Sequence, residues 1–162
     1  MMRMNDQFHI YIDRLKDQHT EVLNLSLTPD FLDVDEPELR FRKPVAVRGK
    51  AYLALQELVL DLEVAATAEM PCAICNEPTE TPINLDRLML VEPISEVQSG
   101  IFDMRSLVRE AILLELPLKV ECPGGCPKRL EVEKFFKQPS SDTLDGGNFY
   151  PFKELSAEDY ER

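Results

Sequence analysis

The chain has 162 residues, 44% of them hydrophobic, and a formal net charge of −12. That length buries a core without staples and points to one domain, and no apolar run is long enough to span a bilayer. The acidic surplus opposes nonspecific binding to phosphate backbones, so a nucleic-acid contact would have to be local and a protein partner is the easier inference. The charge is also uneven, net −2 over residues 1–60 and net −10 over residues 61–162. The N-terminus alternates polar and apolar residues with no uninterrupted apolar segment, which predicts no leader peptide and a soluble, cytoplasmic protein.

Residues 7–13 predict a first strand with Phe8, Ile10 and Ile12 on one face. Val22–Leu27 predicts a second, with Leu23, Leu25 and Leu27 sharing a face. Residues 29–34 predict one helical turn opened by Pro29. Residues 35–38 are a polar break. Arg40, Arg42, Lys43, Arg48 and Lys50 then form the densest positive patch, interleaved with Phe41, Val45 and Val47. Such a patch can contact RNA phosphates or serve as the solvated, pairing-resistant face of an edge strand. Gly49 is placed for a turn or bulge, and residues 52–55 lead into the next strand.

From Leu58 to Met70 every second residue is apolar: Leu58, Leu60, Leu62, Val64, Ala66, Ala68 and Met70. This is the period of a strand with one buried face. Thr79, Thr81, Ile83 and Leu85 alternate in the same way on the far side of Pro71–Pro78. A long hairpin is therefore predicted, with Cys72-Ala73-Ile74-Cys75 at its tip, and Leu88–Val91 continues the sheet. Residues 92–100 read as a loop. Asp103 is a natural N-cap for an amphipathic helix whose apolar residues are Met104, Leu107, Val108, Ala111 and Ile112. Leu113, Leu114 and Leu116 broaden that face and Pro117 ends the helix. Glu110 and Glu115 lie ~500° apart around the helix and cannot act as a carboxylate pair.

A second cysteine turn, Cys122-Pro123-Gly124-Gly125-Cys126-Pro127, follows after 46 intervening residues. Residues 130–136 predict a last short element anchored by Phe135 and Phe136. Residues 138–147 have the composition of a linker, leaving an aromatic and acidic tail around Phe149, Tyr150 and Phe152.

These are the only four cysteines, and a reducing compartment favours metal over disulfides. Paired turns supply four thiolates for a closed tetrahedral site, so Cys72, Cys75, Cys122 and Cys126 are the candidate ligands of a structural zinc ion. Free thiols left by a lapsed site and redox chemistry are the alternatives. A redox CxxC sits at a helix N-terminus, whereas here strand patterns flank Cys72 and Cys75. Asn76 suits the left-handed backbone that a metal knuckle requires. His9 and His19 have no ligand partner at a metal spacing and read as solvent or strand-edge histidines. No Ser/His/Asp set, phosphate-cradling loop or HExxH occurs, so no enzyme and no small-molecule substrate is expected.

The order of these features resembles the YceD-like family, the large ribosomal RNA subunit accumulation proteins. Cys72-Ala73-Ile74-Cys75-Asn76-Glu77-Pro78 is similar to its Cys-x-Arg-Cys-x-x-Pro turn, with Ile74 in place of the Arg. Asp103–Pro117 is similar to its helix ending in Leu-x-Leu-Pro. Cys122–Pro127 resembles its second cysteine turn, and Arg129 stands where longer knots carry another Cys. Residues 148–155 echo its Asn-Pro-Phe-x-x-Leu tail with two residues inserted. The resemblance implies a nonenzymatic role in the accumulation of large-subunit ribosomal RNA, with a precursor RNA or an assembly protein as partner. A zinc-stabilised adaptor unrelated to ribosomes is the other binding-protein reading, and a thiol-redox protein is the enzymatic one.

The expected fold is α+β: residues 1–137 form one domain with a mostly antiparallel, curved sheet, open or closed into a barrel. One main helix packs on the sheet and a cysteine knot joins the hairpin tip to the segment after it. Residues 138–162 form the linker and a short docking tail.

Overall fold

The alternation from Leu58 onward becomes the spine of the fold. A computed structural model of the chain describes residues 4–136, with the side chains of residues 6–135. Strands β1 (His9–Tyr11), β2 (Glu21–Leu27), β3 (Val45–Ala54), β4 (Glu57–Pro71), β5 (Pro78–Pro93) and β6 (Ile101–Asp103) precede helices α1 (Arg105–Leu114) and α2 (Arg129–Phe136). The main sheet is four antiparallel strands in the order β2-β3-β4-β5, and β1 pairs with β6 in a separate ribbon. The sheet is open, with β2 and β5 as its edges, so the barrel expectation is corrected. Four strands are too few to close on themselves at the curvature a barrel needs.

The predicted hairpin is β4 and β5. Leu58, Leu60, Leu62, Val64, Ala66 and Ala68 are all buried, as their spacing requires. On β5 the inward set changes parity. Thr79 and Ile83 are buried, but Leu88 and Leu90 take the inner face nearer the base. The register explains this, because Leu62 faces Leu88 while Val64 faces Leu85. Asp86 and Arg87 together oppose Glu63, a β-bulge that flips the side-chain alternation. The bulge lets an apparently broken sequence pattern keep one continuous buried face.

Gly49 lies within β3 rather than in a turn, at φ 149°. A Cβ there would stand 2.9 Å from the Leu62 Cα and closer still to the Asp61 carbonyl oxygen. The neighbouring strand passes where a side chain would be, which only glycine permits.

Phe8, Ile10 and Ile12 are buried, although only His9–Tyr11 is strand and the flanking residues form 3-10 turns. The partner strand β6 arises directly after the 92–100 segment. The Asp103 carboxylate accepts a hydrogen bond from the Arg105 N–H at 2.9 Å. Asp103 thus caps the helix from one position before the N-cap, which is Met104. Met104, Val108 and Ile112 are fully buried beneath α1. Leu114, expected on that face, is 85% exposed, because the helix ends there and its last residue points off the stripe.

Residues up to Pro127 form one compact unit and those from Lys128 a second. Within the described residues the second unit is α2. Phe135, expected to anchor it, is exposed, and the side chain of Phe136 lies outside the description. The linker and tail, residues 138–162, also lie outside the described residues. No helix among the described residues is long and apolar enough to cross a membrane.

Candidate metal centre

The β4–β5 ladder ends at the pair Pro71 and Pro78. Proline has no N–H to continue it. The chain between them folds into a knuckle. The Cys72 N–H donates to the Glu77 carbonyl at 2.8 Å, and the Asn76 N–H donates back to the Cys72 carbonyl at 2.9 Å. Asn76 adopts φ 64°, the left-handed conformation its identity suggests. The Ile74 N–H points at the Cys72 Sγ from 3.5 Å, as a knuckle presenting amides to sulfur should.

The second turn is brought alongside by α1 and the segment after it. Buried Val120 forms a parallel bridge with Cys72, and its carbonyl accepts from the Ala73 N–H at 2.8 Å. The chain then reverses through Gly124 (φ 77°) and Gly125 (φ 95°), with the Gly125 N–H donating to the Cys122 carbonyl at 3.0 Å. A Cβ at either glycine would meet open space. Their requirement is backbone conformation, not room.

The four sulfurs converge. The Sγ atoms of Cys72, Cys75, Cys122 and Cys126 lie within 4.8 Å of one another, and Cys75 and Cys122 approach to 3.4 Å. Cys72 and Cys126 are buried, and Cys75 and Cys122 half-buried. A tetrahedral ion with Zn–S bonds near 2.3 Å spaces its sulfurs ~3.8 Å apart, so this donor set fits such a group. The electrostatics lean the same way. Amide N–H groups of Cys75 and Ile74 hold the Cys72 thiol down at about 6. The Cys122 thiol is pushed up to about 12, because its proton is shared with the sulfurs of Cys75 and then Cys72. Four crowded thiols cannot all ionise without a cation between them.

The five predicted basic contacts sit on two segments, the stretch before β3 and β3 itself. Arg40 lies in the segment before β3, where its backbone exchanges two hydrogen bonds with Glu69 of β4, at 3.0 and 2.7 Å. Arg42 pairs with the Glu69 carboxylate at 3.3 Å and Lys43 with Glu80 at 2.6 Å. Arg48 and Lys50 point outward from β3, opposite Glu63 and Asp61 of β4 in the register, and the Lys50 ammonium sits 5.7 Å from the Tyr52 ring. All five are exposed.

His9 lies 4.0 Å from Asp6 and 3.8 Å from Asp103, and neither histidine joins the cysteine cluster. Sequence reasoning missed a cleft of about 290 Å³ beside the first cysteine turn, lined among others by Pro37, Arg40, Arg42, Glu69, Asn76 and Pro78. The available signals were the residue types, but only the pairing of Arg40 with Glu69 brings the two segments together.

Comparison with known proteins bears on the same region. A family model described as "Large ribosomal RNA subunit accumulation protein YceD" matches residues 60–144, just over half the chain. That span takes in both cysteine turns and α1. No curated protein and no solved structure matches the chain.

Proposed function

We infer the function from one premise: the chain belongs to the YceD family of large ribosomal RNA subunit accumulation proteins. We propose that it is a nonenzymatic accessory factor in ribosome assembly, promoting accumulation of large-subunit ribosomal RNA through contact with a precursor RNA or an assembly protein. The observation that carries this reading is the family match across the hairpin, the helix and both cysteine turns. The described residues support it by presenting a cluster of four cysteines and exposed basic side chains.

We further propose that the ion is structural zinc, held by Cys72, Cys75, Cys122 and Cys126. Bound there, it would supply cross-linking rather than chemistry, because four protein ligands leave no open position for substrate. Its work in this chain would be to tie the hairpin tip to the segment after α1, which the Val120 bridge also joins. The exposed cations Arg40, Arg48 and Lys50 are the proposed RNA contacts. Arg42 and Lys43 would first have to exchange Glu69 and Glu80 for phosphate.

Depletion of the protein tests the ribosome reading. Large-subunit RNA should fall relative to small-subunit RNA, and the protein should cosediment with large-subunit precursor particles. An unchanged ratio with no cosedimentation would replace it with the adaptor reading. Elemental analysis of purified protein should find about one zinc per chain.

A further inference from the structure

The cleft beside the first cysteine turn is built from two segments remote in sequence. Its floor is the end of β4, beyond the reach of β3, whose pairing stops at Ala46 and Ala65. One wall is the segment carrying Pro37, Arg40 and Arg42, held there by the two backbone bonds between Arg40 and Glu69. Asn76 and Pro78 also line it, at the knuckle that holds Cys72 and Cys75.

Its size and chemistry select the occupant. A volume of about 290 Å³ lies at the lower end of the roughly 300–1,000 Å³ of small-molecule pockets, so it takes one small flat group and no extended cofactor. The lining mixes cations with the carboxylates of Glu38 and Glu69, so it has no surplus positive field for a free polyanion. It offers instead three proline surfaces, planar guanidiniums and one side-chain amide. Guanidinium planes stack on unpaired bases, and amides read base edges. Among the described residues Arg40 makes no ion pair, so its guanidinium is available, while Arg42 is already turned to Glu69 at 3.3 Å.

We propose that this cleft binds a single unpaired nucleotide of RNA, its base stacked on Arg40 against the proline surfaces and its edge read by the Asn76 amide. The assignment deepens the ribosomal reading and rests on it for the identity of the polymer. It also makes the knuckle serve recognition: the turn that gathers Cys72 and Cys75 sets the position of Asn76.

The test is fluorescence titration of the full-length, zinc-supplemented protein with a single-stranded oligouridine RNA carrying one 2-aminopurine. Saturable quenching is expected, and the same strand in a fully paired duplex should bind at least tenfold more weakly. Arg40→Ala and Asn76→Gly should each weaken single-strand binding about tenfold or more. Glycine accepts the left-handed backbone at position 76, so Asn76→Gly removes the amide and keeps the turn. Circular dichroism should show both variants folded. Equal affinity for duplex and single strand would overturn the proposal, as would variants that quench like the parent. Variants that keep RNA binding but lose capture of a large-subunit protein would make the cleft a peptide site and also overturn it. Failure here with a depletion-dependent fall in large-subunit RNA removes the nucleotide assignment and leaves the ribosomal reading standing. Quenching without that fall does the reverse.

Discussion

At the scale of single residues, the tightest constraints are the backbone at Gly49 and the sulfurs of the cysteine turns. Gly49→Ala must push apart β3 and β4 and force a side chain onto a φ that L-residues rarely adopt. We expect a loss of about 2–4 kcal/mol in urea unfolding, the range of strain at a special φ combined with backbone displacement. A change under 1 kcal/mol would mean the strands slide apart without penalty. The cysteines are constrained by one another. Cys126→Ser removes one of four converging donors, so metal content should fall well below one ion per chain. The melting temperature should drop by on the order of 10 °C if binding is coupled to folding. Prolonged chelation of the parent protein should reproduce that drop. A variant with no metal loss and parental melting would show that the four thiols are not acting as a ligand set.

At the scale of elements, the sequence carried much of the answer because period-2 burial survives translation into a sheet. Leu58 to Ala68 could be read directly, as could the hairpin tip with its left-handed Asn76. The β-bulge could not, since nothing in Asp86-Arg87 announces which strand will hold the extra residue. It becomes visible only when Leu62 is seen opposite Leu88 and Val64 opposite Leu85. Of the ribbon of β1 and β6 the first strand was legible in residues 7–13, whereas Ile101–Asp103 is three residues long and acquires strand character only by pairing. The four candidate ligands were legible from spacing alone, whereas the cleft was not. One wall meets its floor through main-chain bonds between Arg40 and Glu69, which leave no mark on residue type. The helix start was read one position out, because Asp103 belongs to β6 and still caps α1. Replacing it tests that double role. Asp103→Ala should cost about 1 kcal/mol, as loss of a capping carboxylate does, with Asp103→Asn retaining most of the stability.

At the scale of the whole molecule, the net charge of −12 and a role with RNA are compatible only if contact is confined to a few side chains. The ion pairs sharpen that limit. Of the five basic residues between 40 and 50, Arg42 and Lys43 are committed to Glu69 and Glu80. Among the described residues, Arg40, Arg48 and Lys50 form no such pair. Each phosphate neutralised contributes a slope of roughly −0.7 to −0.9 to the dependence of log affinity on log salt, so Arg48 and Lys50 together give about −1.5 to −2, with the Arg40 guanidinium engaged on a base. A slope of about −3 or steeper would require the two committed cations to abandon their carboxylates. Arg48→Glu with Lys50→Glu should flatten the slope by about two while the protein stays folded, since both side chains are exposed on the outer face of β3. Arg42→Glu with Lys43→Glu acts differently, bringing like charges against Glu69 and Glu80. It should weaken the segment that walls the cleft without a comparable change in slope. Measuring salt dependence on both double variants, with large-subunit precursor RNA as ligand, therefore separates free phosphate contacts from cations engaged within the protein. If the two pairs lower the slope equally, the ion pairs are not maintained in solution and all five cations contact RNA.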